Sequence, residues 1–165
     1  MKLYLFAFGR LKTPGLRDTA DYYKKILRPW AQLEEIELKP LSVQDKSPAT
    51  RRIIQDKESA FLLEKISSVI SPRGQFYLMD ETGRAEATLA WAERIRSWEN
   101  ESVPEIAFCI GSSLGFADAL RRKSKGSLSF GPQTFSHELA RVVLLEQVYR
   151  SYSVVRGHPY HNEGS

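Results

Sequence analysis

Cysteine is nearly absent from this 165-residue chain: Cys109 is the only one, so no internal disulfide exists and a reducing compartment, the cytoplasm, is expected. Long apolar runs are missing too, and nothing approaches the length of a membrane span. The opening MKLYLFAFGRLK has a short apolar run, but Gly9 and Arg10 interrupt it and no small-residue cleavage site follows; it reads as a first strand rather than a signal peptide. Internal repeats and long linkers are absent, so a single domain over residues 1–165 is expected.

Several chemical signatures are also lacking. There is no G-x-G-x-x-G dinucleotide fingerprint and no G-x-x-x-x-G-K-[ST] phosphate loop. His158 and His161 stand three apart in the C-terminal tail, without a clear third ligand or clustered carboxylates, which makes a poor metal site. Cys109 lies in the apolar run IAFCI, where a thiol is buried and inert.

What is present is a globular composition, 42% hydrophobic and 27% charged, with a net charge of +4. The charge is uneven. Residues 1–60 carry 12 basic and 8 acidic side chains, residues 61–110 carry 5 and 8, and residues 111–165 carry 7 and 4. Two basic ends flank an acidic middle, a distribution compatible with a nucleic-acid partner but not diagnostic of one.

Short β-rich runs alternate with helical segments. Strands are expected at 3–8, 33–38, 75–80, 106–110 and 127–130. Helices are expected at 16–28, from Pro48 to about Ile70 with Ser47 as N-cap, at 86–98, at 116–124, and at 137–152 after Ser136. The 75–80 strand is expected to end in the turn ETGR. This alternation predicts an α/β domain with a mostly parallel sheet flanked by helices. The last helix, HELARVVLLEQVYRSY, is apolar on almost every side, which implies burial all round and, in a small domain, a homodimer with this helix in the interface.

Three stretches carry candidate chemistry. FCIGSSLGF (108–116) is a buried strand entering a loop with Gly111 and Gly115, and ligands in open α/β sheets bind at strand carboxyl ends. As a plain strand–helix turn it would look the same. SLSFGPQTFSH (127–137) is rich in small and hydroxyl residues and joins a strand to the last helix; it suits a flat heterocycle or serves as an ordinary connection. Asp80, before the glycine turn, caps, turns or contacts a ligand. Arg121, Arg122, Lys123 and Lys125 form either a solvated helix face or a phosphate-binding one.

Taken together, FCIGSSLGF, SLSF…TFSHELARVVLLEQVYRSY and the ending HPYH resemble the large-subunit ribosomal RNA methyltransferase H (RlmH) family of the SPOUT methyltransferases. KLYLFAFGRLK and YLMDETGR are similar to the same family, so the resemblance spans nearly the whole chain. It implies a homodimeric α/β fold with a C-terminal trefoil knot. It also implies transfer of a methyl group from S-adenosylmethionine to ring nitrogen three of a pseudouridine in 23S rRNA of the assembled ribosome, without metal or membrane. By position, the cofactor contacts would be Leu78 or Met79, Gly111, Ser112, and Leu128, Ser129, Phe130, Gln133, Thr134 and Phe135. The HPYH end would lie by the methyl-donor pocket at the dimer interface, with Tyr160 stacking on a flipped base and His161 as general base. Arg141, Arg150 or Arg156 would stabilise an anionic base.

Two departures from the family pattern touch the pocket. Ser112 stands where the family usually has a second glycine, and the loop after Ser129 is longer. They motivate one rival reading, a non-catalytic RNA- or ribosome-binding protein on the same scaffold. A second rival is a metal-dependent enzyme using the tail histidines.

Overall fold

The computed structural model describes residues 1–161. Five parallel strands form one sheet: β1 (Lys2–Phe8), β2 (Gln32–Leu38), β3 (Gln75–Ala85), β4 (Glu105–Ile110) and β5 (Ser127–Ser129), in the order β2-β1-β4-β3-β5. The helices are α1 (Leu16–Leu27), α2 (Pro48–Val69), α3 (Thr88–Asn100), α4 (Asp118–Lys123) and α5 (His137–Val155). Every element expected from the sequence is present, with ends shifted by a few residues.

The faces follow from the crossovers. β1 to β2 and β3 to β4 step one way across the sheet; β2 to β3 and β4 to β5 step the other way. A single crossover handedness then puts α1 and α3 on one face and α2 and α4 on the other. The two cores agree. Ala20 and Leu27 of α1 and Trp91, Ile95 and Trp98 of α3 pack with Leu3, Leu5, Ile106 and Phe108. Leu62 and Ile66 of α2 and Leu120 of α4 pack with Tyr4, Phe6, Ala107 and Cys109. The central strands β1 and β4 are covered on both faces, which explains their unbroken apolar runs.

Local signals set the helix starts. Ser47 and Ser136 each accept a hydrogen bond from the backbone N–H three residues on, Thr50 and Leu139, and Pro48 occupies the first turn of α2, where no donor is lost.

One expectation is corrected. β3 does not stop at Asp80. It bulges between Met79 and Arg84 and rejoins the sheet, pairing Arg84 with Leu128 and Ala85 with Ser129. Gly83 makes this possible: a Cβ there would lie 2.7–2.8 Å from backbone atoms of Ser127 and Leu128. Much of the apolar surface of α5 is covered within its own chain, while Leu139 stays exposed. The helix packs against α1 and α3 on its own sheet, burying Val142, Leu144, Leu145, Val148, Tyr149 and Tyr152.

Candidate active site

Because all strands are parallel, the loops leaving β3, β4 and β5 converge at one end of the sheet. There they enclose a cavity of about 560 Å³. Met79 to Thr82 form one wall, Ile110 and the 111–116 loop a second, and residues 128–136 a third; His137 and Ala140 of α5 lie at its base. This is where open α/β sheets hold ligands.

Of the positions expected at the cofactor, Met79, Gly111, Ser112, Leu128, Ser129, Phe130, Gln133, Thr134 and Phe135 all line this cavity. Leu78 does not. Strand alternation turns its fully buried side chain into the core under α2 and α4, so between Leu78 and Met79 the cavity takes Met79.

The third wall is stiffened from within. Ser129 Oγ donates to Gly131 O (2.7 Å) and accepts from Gly131 N (3.0 Å), and Thr134 Oγ1 donates to the Glu81 carboxylate. Phe130 stacks on Trp91 (centroids 6.3 Å apart, 13° between planes) and meets Phe135 edge-on. Leu128 and Phe130 are the apolar walls, and backbone polar groups fill the spaces between them.

Asp80 resolves as a turn residue and an anchor. It accepts from Thr82 N (2.9 Å) and Thr82 Oγ1 (2.6 Å) and pairs with Arg121. Burial works against its charge, but the Thr82 bonds and Arg121 hold its carboxyl below the ordinary value. Arg121 thus leaves the basic cluster for the cavity wall, while Arg122, Lys123 and Lys125 remain exposed.

The three residues expected to be catalytic do not meet at the cavity of their own chain. Arg141 is fully buried. It pairs with Glu35 and Glu37 of β2 and donates to Gly9 O (3.1 Å), while Arg17 and Lys24 reach the other Glu35 oxygen. Burial, with Arg17 nearby, lowers its guanidinium to about 10, still charged at neutral pH. It sits in the core, tying α5 to β1 and β2.

Tyr160 docks on α1 and α5. Its ring meets Tyr149 edge-on at 4.7 Å, Arg150 lies 4.9 Å above it, and its hydroxyl donates to Glu146 (3.3 Å). Burial, Tyr23 and Glu146 push its phenol up, with Arg150 opposing. Tyr149 is nine residues along α5 from Ala140, roughly 13 Å. His158 packs edge-on against Trp30, and His161 is half-buried with Nδ1 unpartnered.

His137 was missed by the sequence reading. It is the one histidine of the chain that lines the cavity, and its Nδ1 is buried without a partner. Its position directly after the N-cap Ser136, at the carboxyl end of the sheet, is the signal that could have found it. Glu138 beside it ties the start of α5 to the loop after β1. It accepts from Thr13 N (3.0 Å) and Thr13 Oγ1 (2.7 Å) and from Lys12 N, which lower its carboxyl to about 2.

A pocket of this size with flat apolar walls and a backbone-rich edge fits a nucleoside such as that of S-adenosylmethionine. Comparison with known proteins agrees. A family model described as "Predicted SPOUT methyltransferase" matches residues 1–161. A "Ribosomal RNA large subunit methyltransferase H" of Rhodopseudomonas palustris (strain BisA53) is 32% identical over 161 residues, covering 98% of this chain and 99% of the relative. The protein of the same name from Bacillus pumilus (strain SAFR-032) is 34% identical, with the same coverage. In fold, the chain resembles a probable methylase family protein from Haemophilus influenzae Rd KW20, with a TM-score of 0.53 at 10% identity, over 99% of this chain and 71% of that one. The chain therefore belongs to the SPOUT methyltransferases, within the ribosomal RNA large subunit methyltransferase H family.

Proposed function

We propose that this chain is a cytoplasmic, S-adenosylmethionine-dependent ribosomal RNA methyltransferase. Its target is ring nitrogen three of a pseudouridine in 23S rRNA of the assembled ribosome, and it works as a homodimer of single-domain subunits. The observation that carries this reading is the cavity where three loops meet, lined by nine of the ten positions expected to hold the methyl donor. The passage of Ser127 and Leu128 against Gly83, inside the bulge of β3, supports a knotted C-terminal segment.

When bound, S-adenosylmethionine supplies an electrophilic methyl group. The chain's own residues do the rest. Leu128 and Phe130 sandwich a flat ring and exclude water from its faces. Backbone groups of 129–135 and the Gln133 and Thr134 side chains offer donors and acceptors at its edge.

The tail completes the site from a second copy, because Tyr160 and His161 do not line the cavity of their own chain. Tyr160 stacks the flipped base. His161 takes the proton from the ring nitrogen as the new N–C bond forms. Among the three arginines, Arg141 is committed to Glu35 and Glu37, and Arg156 pairs with Glu99 (3.1 Å) on α3. Arg150 is paired too, with Glu146 (2.8 Å), but it lies over the Tyr160 ring, and that nearness to the stacking residue supports it as the arginine that stabilises the anionic base.

The test is methyl transfer from labelled S-adenosylmethionine to ribosomes lacking the modification, with free 23S rRNA in parallel. Label on ribosomes only, at ring nitrogen three of pseudouridine, is the expected result. Label on neither, with no donor binding by calorimetry, overturns the reading in favour of a non-catalytic ribosome-binding protein.

A further inference from the structure

The stripe Ile54, Glu58, Leu62, Ile66 runs down the buried face of α2 at four-residue spacing. Three members are apolar; Glu58 is not, yet it is only 3% exposed. A buried carboxyl must be fully engaged or it destabilises the fold. Glu58 is fully engaged: one oxygen accepts from Leu41 N (2.8 Å), in the loop after β2, and the other from the Ser112 hydroxyl.

Its neighbours act on the same loop. Gln55 Nε2 donates to Leu114 O (2.6 Å), and buried Ser59 Oγ accepts from Ala117 N (2.9 Å). Positions 55, 58 and 59 share one helix face. Three polar side chains on a rigid helix thus hold three points of the loop that forms the β4 wall of the cavity. Ser112 passes the restraint inward, since its Oγ also accepts from Leu114 N (3.2 Å) and its carbonyl accepts from Gly115 N (3.0 Å).

We infer that Glu58 is a positioning residue for methyl-donor binding, acting through Ser112; this rests on the reading of the cavity as the donor site. Ser112 is then not a defect in a glycine loop. It exchanges the freedom of a second glycine for a hydroxyl held by a buried carboxylate, so the loop is ordered before the donor arrives.

Glutamine at 58 keeps the shape and the Leu41 bond, but its second arm donates instead of accepting, so the Ser112 hydroxyl loses its acceptor. Calorimetry with S-adenosylmethionine is expected to show Kd raised about tenfold in Glu58→Gln and in Ser112→Ala, with the double variant no worse than the weaker-binding single one. Amide hydrogen exchange at 112–117 is expected to quicken in both without donor, and kcat of Glu58→Gln at saturating donor to stay within about twofold of wild type. Where Glu58→Gln does not fold, Ser112→Ala on the half-exposed side of the same bond carries the test. A wild-type chain that takes up no S-adenosylmethionine overturns the cavity reading and this inference with it. A wild type that binds while both variants bind equally well, or single effects that multiply, overturns this inference alone.

Discussion

Gly9 and His137 touch where the end of β1 meets the start of α5: a Cβ on residue 9 would lie 2.8 Å from the His137 ring. Gly9 also has a φ of +87°, in the left-handed region. Gly9→Ala therefore meets two separate penalties. Backbone strain is expected to cost about 1–2 kcal/mol in urea unfolding, and displacement of His137 into the cavity is expected to weaken S-adenosylmethionine binding. Adding His137→Ala removes the contact but not the strain, so the double variant regains binding while remaining less stable than wild type.

Arg141 separates a structural from a catalytic role. Its charge is buried among Glu35, Glu37, Arg17 and Lys24; removing it empties a large buried site and leaves one oxygen of Glu35, whose side chain is 5% exposed, without its partner while Arg17 and Lys24 hold the other. Arg141→Ala is expected to lose about 3–5 kcal/mol in equilibrium unfolding. Arg141→Lys, which cannot span Gly9 O and both carboxylates with one planar group, loses less but still registers. The folded fraction of Arg141→Lys retains wild-type kcat; a loss of kcat without a loss of stability would return Arg141 to the chemistry.

The order of elements was legible because each level of signal agreed: Ser47 and Ser136 cap where the apolar periodicity begins, and IAFCI is apolar because both faces of β4 are covered. Three things were not legible. Alternation alone does not reveal that Glu35 and Glu37 face a buried arginine, since a charged position on a half-apolar strand reads as solvent-facing. The return of β3 past Asp80 depends on Gly83 meeting the backbone of a strand more than forty residues later, which no local pattern records. Glu58 was visible as the odd member of an apolar stripe, but its meaning lies in the distant loop that it holds.

Glu138 gives the junction between α5 and the loop after β1 an acid limit. Bonds from Thr13 and Lys12 lower its carboxyl from the ordinary 4.5 to about 2. A depressed carboxyl contributes stability that is complete above its unfolded value and is lost as pH falls through the folded one. The Tm difference between wild type and Glu138→Gln is therefore expected to be constant near neutrality, to shrink below about pH 4.5, and to vanish near pH 2. A difference that persists at pH 2 would assign the effect to something other than this carboxylate.

Arg10, Lys12, Lys39, Lys46, Arg51 and Arg52 are exposed and form no ion pair among the described residues. They follow β1 and β2 or open α2, at the same end of a parallel sheet as the cavity. Reversing Arg51 and Arg52 to Glu is expected to weaken ribosome binding and to lower the slope of log K against log salt by about 2. Donor affinity by calorimetry stays unchanged. Equal losses of both would mean that the change acts through the fold.

The tail poses the sharpest question of assembly, since Tyr160 rests on Tyr149, Glu146 and Arg150 of its own chain while the cavity lies at the other end of α5. If a second copy supplies the tail, two defective chains can repair each other. Gly111→Leu forces a side chain against Phe116, whose ring lies 3.2 Å from where a Cβ would sit, and blocks the cavity. His161→Ala removes the proposed base and leaves the cavity open. Each variant alone is expected to be nearly inactive on ribosomes. Co-expressed in equal amounts, half of the dimers are mixed, and each of these has one site with an open cavity and an intact tail, so about a quarter of wild-type activity is expected. A site built within one chain gives no such recovery, because every chain then carries its own defect.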